Sequence, residues 1–307
     1  MSHKIFYESL EDHILKISLE KGLDLNLLAE IIIEQDIDSY KKSYGKTLIV
    51  GGANGYLGAV LISGLAALRS GSRYVEVFST DTNHSLIPLR QPELMTSSDI
   101  KHLNHKFKTY KNLLLGPGIS GDEWSREAFS IFKKFCQNKK TNKNIVVDAG
   151  FLSLLSEDQF SNDKWVLTPH IGEAAKLLNT SVKNIQDNRL DSAIEIQKIY
   201  GGIIILKGHD TIIQTQSNSY VCKHGNSSMG TAGMGDCLAG TLISLISLAN
   251  EKDYNNAILY AVALHSMAAD NILASRGKFG ILASDVIAVS YTHLRAHETP
   301  EHRGWRG

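Results

Sequence analysis

The sequence predicts an α/β domain built on a mostly parallel central sheet with helices on both faces. Three observations carry that expectation. Short apolar runs stopped by Gly, Pro or Ser recur along the chain; each is followed by a stretch able to form a helix; and no internal repeat or linker divides the 307 residues. A chain of this length can bury a large core in one α/β domain, with two small domains as the alternative.

The elements follow in order. "LNLLAEIIIEQDI" has helix-period apolar positions and places a helical extension over residues 1–39. "KTLIVGG", "YVEVFS", "NLLLGPG", "NIVVDAG", "KWVLTP" and "GIIILKG" read as buried strands. Strands alternating with helices imply right-handed βαβ units, in which ligands lie beyond the carboxyl ends of the strands. From "GTAGMGDCLAGTLISLISLAN" through "YAVALHSMAADNILAS" the chain reads as helix, so one domain covers 40–289. The last eighteen residues, "SYTHLRAHETPEHRGWRG", hold three of the twelve histidines and three of the nine arginines, yet no Lys, Asn or Ile. That shift resembles translated sequencing-adapter sequence, and 290–307 is expected to be a non-native tail.

Composition narrows the function. No apolar run reaches the roughly 18 residues of a membrane span, and the charged start "MSHKIFYESLEDH" is unlike a signal peptide, so a soluble, non-secreted, cytoplasmic protein is expected. Formal charge is zero with acids and bases interspersed, which excludes the basic stripe of a nucleic-acid binder and leaves a small molecule as partner. Cys136, Cys222 and Cys237 form no CxxC pair and read as reduced packing residues.

Two glycine-rich stretches carry chemistry. "GGANGYLGAV" has glycines at 52, 55 and 58, which let backbone approach a phosphate at a helix N-terminus. A short-chain dehydrogenase would add a YxxxK pair, and none occurs in the chain. "GNSSMGTAGMGDCLAG" brings the N–H groups of Gly233, Met234 and Gly235 to the start of a helix as an anion hole, with Asp236 beside it. Asp236 there either accepts the proton of a hydroxyl attacking a phosphoryl group or caps the helix, and spacing alone leaves both open.

"GTAGMGDCLAG" is similar to the GxGD-type signature of the ribokinase-like superfamily. "YKKSYGKTLIVGGANGYLGA", "AALRSGSRYVEV", "QPELM", "LLGPGI", "VVDAG", "LTPHIGEAAKLL", "ILKGHDTII" and "LHSMAADNILASRGKFGILASDVI" resemble, in order over about residues 40–287, one branch of it, the NAD(P)H-hydrate dehydratases. The resemblance implies a ribokinase-like fold and removal of water from NADH and NADPH hydrated at C6 of the nicotinamide ring. ADP or ATP would serve as phosphoryl donor, with Mg2+. Phosphorylating the C6 hydroxyl replaces a leaving group whose conjugate acid has a pKa of about 15.7 with phosphate, whose second pKa is about 6.

Carried over by residue, the resemblance implies Asp236 as catalytic base in contact with the hydrate. Ala59, Gly118 and His170 would be further substrate contacts, and Lys207, Gly208, His209, Asp210, Thr211 and Gly235 nucleotide contacts. Glu173 stays outside this core set. No metal ligand is assigned; Gly150 stands where a second Asp is common, leaving Asp148 alone in "VVDAG" and weakening a metal at that turn. Ile171 replaces a usual proline, "GNSSM" a usual GNPGM, and Met234 a small polar residue. A homotetramer and a separate NAD(P)H-hydrate epimerase are the partners the family implies. Small-molecule kinases of the hydroxymethylpyrimidine or thiazole type, and a non-catalytic nucleotide-binding protein, are the alternatives.

Overall fold

Runs of β-branched and leucine side chains with glycine close by make four-residue strands buried at every position, the pattern of a sheet covered on both faces. The computed structural model describes residues 6–11, 14–18, 45–138 and 142–295. Its strands are β1 (Phe6–Glu11), β2 (Ile14–Ser18), β3 (Thr47–Val50), β4 (Val75–Phe78), β5 (Met95–Ser97), β6 (Asn112–Leu115), β7 (Asn144–Val147), β8 (Trp165–Leu167), β9 (Ile203–Leu206), β10 (Thr211–Gln214) and β11 (Ser219–Cys222). They form one sheet in the order β1-β2-β11-β10-β9-β8-β7-β6-β3-β4-β5. From β9 to β5 every neighbour is parallel, whereas β9-β10-β11 and β1-β2 are antiparallel.

The longer helices are α1 (Leu57–Arg69), α2 (Glu123–Asn138), α3 (Gly150–Glu157), α4 (Ile171–Leu177), α5 (Arg189–Tyr200), α6 (Met234–Leu248), α7 (Tyr254–Arg276) and α8 (Ala283–Arg295). Successive strand residues point to opposite faces, and the core divides accordingly. Ile49, Val77, Leu114, Val146 and Ile205 meet α1, α6 and α7. Leu48, Val50, Leu113, Leu115, Val147 and Leu206 meet α2 to α5, where Phe151 packs edge to face on Phe129 and tilted against Phe132. By composition α7 is apolar enough to cross a membrane, but 78% of its apolar window is buried inside the protein. Cys222 and Cys237 are buried, and all three cysteines are free.

The structure adds to or departs from the sequence reading in three places. The helical reading of residues 1–39 meets two strands, β1 and β2, paired as a hairpin that joins the sheet beside β11; the alternation in "ILKIS" is a period-two pattern that a helix would not use. "LNLLAEIIIEQDI" lies outside the described residues. The antiparallel edge β10-β11 was hidden in "TIIQTQSNSYVC", whose turn is closed by Thr215 Oγ1 accepting from Ser217 and Asn218 N–H. Finally, α8 does not stop at 289: Ser290 is buried, and the Arg69 guanidinium lies 4.7 Å from the Tyr291 ring centroid. Residues 296–307 lie outside the described residues.

Candidate active site

Because β3, β6, β7, β8 and β9 are parallel, the loops after them gather at one end of the sheet. "GGAN" and "GPGI" meet there as paired backbone: Gly52 N–H donates to the Pro117 carbonyl (2.9 Å) and Ala53 N–H to the Gly118 carbonyl (2.8 Å). Ser79 Oγ and Asn83 Nδ2 donate to the Gly52 carbonyl, fixing the loop from the far side. Gly118 has φ +67°, and a Cβ on it would lie 2.6 Å from the Tyr56 carbonyl oxygen and 3.1 Å from Ala59 Cβ. The structure thus brings Ala59, in the first turn of α1, against Gly118.

Carboxylates converge on one ammonium at the next loops. Lys207, after β9, places Nζ 2.6 Å from Asp148 Oδ1 and 3.9 Å from Glu173 Oε2. Burial opposes the Lys207 charge, but Asp148 and Glu173 beside it raise it above the ordinary value. Asp148 is 1% exposed, and Thr168 Oγ1 also donates to its Oδ1 (2.7 Å). His170 is the N-cap of α4: its Nδ1 accepts from Gly172 and Glu173 N–H, while Glu173 Oε2 accepts from His170 N–H, a capping box made with an imidazole. With Nδ1 accepting, the proton sits on Nε2, 3.3 Å from Glu173 Oε1.

Gly233, at φ +90°, is the N-cap of α6, and no side chain caps that helix. Asp236 is its third residue, so it does not serve as the N-cap, the plainer of the two roles left open by spacing. Burial, with the Asp148 charge adding to it, pushes the Asp236 carboxyl up to about 6, against the pull of Lys207. A Cβ on Gly235 would sit 3.2 Å from Lys207 Nζ and 3.7 Å from Asp148 Oδ2. The uncapped N-terminus of α6 therefore faces the same small volume as the ammonium, an arrangement suited to phosphoryl oxygens.

A pocket of about 740 Å3 opens from this point, lined by His170, Lys207, Gly208, His209, Thr211, Gly235 and residues of the 224–231 loop and α7. Its volume suits a nucleotide-sized ligand. Asp210 is not among the lining residues; its carboxylate pairs with Lys223 and lies 3.6 Å from His209 Nδ1. Asp270, which the motif reading passed over, pins the pocket's far wall by accepting from Gly225 N–H and Asn226 Nδ2, each at 2.9 Å. An acid inside the apolar run "HSMAADNIL" was the signal for it. His265 also faces the pocket, and burial drives its imidazole down to about 4, leaving it neutral. Among the described residues no group of three or more His, Cys, Asp or Glu could hold a metal ion.

A family model described as NAD(P)H-hydrate dehydratase matches residues 47–291. The chain belongs to that family. It is 35% identical over 269 residues to a bifunctional NAD(P)H-hydrate repair enzyme of Coxiella burnetii, covering 86% of this chain and 52% of that protein. The chain spans about half the length of the bifunctional relatives it matches. It is 29% identical to an ADP-dependent (S)-NAD(P)H-hydrate dehydratase of Staphylococcus aureus, covering 76% of this chain and 84% of that one. A Bacillus subtilis ADP/ATP-dependent NAD(P)H-hydrate dehydratase co-crystallised with ATP/Mg2+ superposes with TM-score 0.77 at 25% identity, covering 89% of this chain and 97% of that one.

Packing accounts for the departures from the dehydratase pattern. Met234 is buried among Ala66, Ala268 and Val286, so its side chain leaves the anion hole and only its backbone stays. A Cβ on Gly150 would come within 2.1 Å of the Ile119 carbonyl oxygen; in this dehydratase-family chain no side chain fits there without movement. Ile171 packs against the core at the first position of α4, which a rigid proline would otherwise hold. In "GNSSM" the turn is held by Asn226, whose Oδ1 accepts from Ser228 N–H.

Proposed function

We propose that this chain dehydrates the (6S)-hydrates of NADH and NADPH at the expense of a nucleotide phosphate, preferring ADP, which becomes AMP. The observation that carries the reading is Asp236, a half-buried carboxyl lifted to about 6 at an uncapped helix N-terminus beside Lys207. A base poised near operating pH takes a hydroxyl proton efficiently.

The hydrate lies over Ala59, Gly118 and His170, with its C6 hydroxyl toward Asp236. Asp236 accepts the hydroxyl proton as the oxygen attacks the terminal phosphorus of the nucleotide; that P–O bond breaks and AMP leaves from ADP, or ADP from ATP. Gly235 N–H and the Lys207 ammonium take the charge gathering on the transferred oxygens. Gly208, His209 and Thr211 hold the AMP portion, while Asp210, paired with Lys223 outside the pocket lining, supports that turn. The ring nitrogen's lone pair then expels phosphate from C6, and loss of a proton from C5 restores the ring double bond. Mg2+ entering with the nucleotide would neutralise phosphate charge; among the described residues no group of three or more His, Cys, Asp or Glu could hold it.

A cytoplasmic homotetramer working with a separate epimerase completes the proposal; bifunctional relatives about twice as long are in keeping with a second activity elsewhere. Incubating the protein with NADH hydrate and ADP or ATP, and following the return of reduced-nicotinamide absorbance, tests it. Turnover should require nucleotide and vanish in Asp236→Asn; full activity of that variant defeats phosphoryl transfer through Asp236.

A further inference from the structure

We propose that Asp148 is a positioning residue for the transfer step: it holds Lys207 Nζ against Gly235 at the N-terminus of α6, where the phosphoryl group would meet Asp236, and through that ammonium it tunes the base. This rests on the reading of Asp236 as base.

The geometry is specific. Asp148 Oδ1 accepts from both Lys207 Nζ (2.6 Å) and Thr168 Oγ1 (2.7 Å), so the carboxylate is oriented by one strand end and in turn orients a side chain from another. Thr168 is itself buried, and Lys207 N–H donates to the Pro169 carbonyl (2.8 Å), which ties the two loops together. The residue after Asp148, Ala149, is held at φ +50°, ψ −128°, a conformation rarely adopted by a side-chain-bearing residue. Gly116 and Gly150 permit the close backbone packing around it: Cβ atoms there would meet the Asp148 carbonyl oxygen at 1.7 Å and the Ile119 carbonyl oxygen at 2.1 Å. The loop that carries this carboxylate is therefore tightly packed, with no room for side chains at 116 or 150.

A lysine is a point charge on a flexible stem and has no preferred resting place without a partner. Asp148 gives it one, facing Gly235 at the start of α6. Three charged groups then share the volume with Asp236: Asp148 just after β7, Glu173 on α4 and Lys207 just after β9. His170 on α4 is committed to capping, and His265 on α7 is kept neutral by burial. Within this set Asp148 and Glu173 favour the protonated base and Lys207 favours the charged one. Removing Asp148 takes away a like charge and frees the ammonium to approach Asp236, and both changes lower the proton affinity of the base.

The test is the pH profile of kcat for NADH-hydrate dehydration. Asp148→Asn is expected to move the acid limb down by about one pH unit and to raise KM for ADP, whereas Lys207→Met moves the limb up. A residue that merely supported the fold would lower kcat alike at every pH. Because either variant can be too slow to assay, the Asp236 carboxyl is also titrated by NMR in 13C-aspartate-labelled protein, its resonance identified by its loss in Asp236→Asn. Opposite displacements in the two variants support the proposal. An unmoved Asp236 titration, or displacement in the same direction in both, overturns it even when Asp236→Asn is inactive. Retained turnover in Asp236→Asn instead overturns the base assignment, and the proposal with it.

Discussion

Asp236→Asn should make the unliganded protein more stable while abolishing its chemistry. The folded Asp236 carboxyl titrates at about 6 against an ordinary 3.8. The folded state therefore binds more protons than the unfolded chain between those values, and stability falls as pH rises from 3.8 to about 6. Below 3.8 both states hold the proton and the difference disappears. At about 1.4 kcal/mol per pH unit, keeping this carboxylate charged above pH 6 costs about 3 kcal/mol. Asparagine has the shape of the protonated acid and no charge to bury. Urea unfolding at pH 8 should show the variant more stable by up to that amount, with almost no gain at pH 3. A gain of equal size at both pH values, or none at pH 8, would refute the claim that a buried, like-charged environment surrounds Asp236.

Other sites give sharper losses. Gly118→Ala forces a Cβ to within 2.6 Å of the Tyr56 carbonyl oxygen at a positive φ; a destabilisation above about 1 kcal/mol by thermal unfolding and a raised KM for the hydrate are expected. Glu76 is buried and accepts from Ser97 Oγ, Lys106 Nζ and Tyr110 Oη. Burial opposes its charge, yet these donors hold the carboxyl below its ordinary 4.5, so its contribution is present above 4.5 and is lost as pH falls through the folded value. Glu76→Ala should cost about 3 kcal/mol at pH 7, and a neutral result in urea unfolding would remove this network from the account of stability. Ending the chain after Arg295 should leave melting temperature and turnover unchanged, whereas ending it after Val289 removes the buried Ser290 and the Tyr291 contact with Arg69. The second cut should lower the melting temperature by about 2–4 °C for each kcal/mol lost, by differential scanning calorimetry.

The parallel core of the sheet was legible because buried strands need continuous apolar runs and parallel crossovers need helices between them; "TLIV", "NLLL", "NIVV" and "IIIL" state both requirements locally. The edges were less legible. "ILKIS" and "SYVC" are short, and a short segment's pairing depends on which neighbour has an unpaired edge. His170 alone in "TPHIGE" reads as a satisfied polar group of the turn, and the structure gives that group its form, an imidazole N-cap, where Ser or Asp is usual.

The sequence by itself determined the fold class, the loops that gather at the carboxyl ends, and membership of the dehydratase family, because apolar period, glycine punctuation and motif order are all local properties of the chain. Only the tertiary structure decided that Lys207, 59 residues from Asp148, is that carboxylate's partner. It also placed the Met234 side chain in the core and turned Asp210 to Lys223. Such facts depend on strand register and on side-chain direction at the ends of separate elements. A shift of one residue in β9 would carry Lys207 to the other face of the sheet and leave every motif intact.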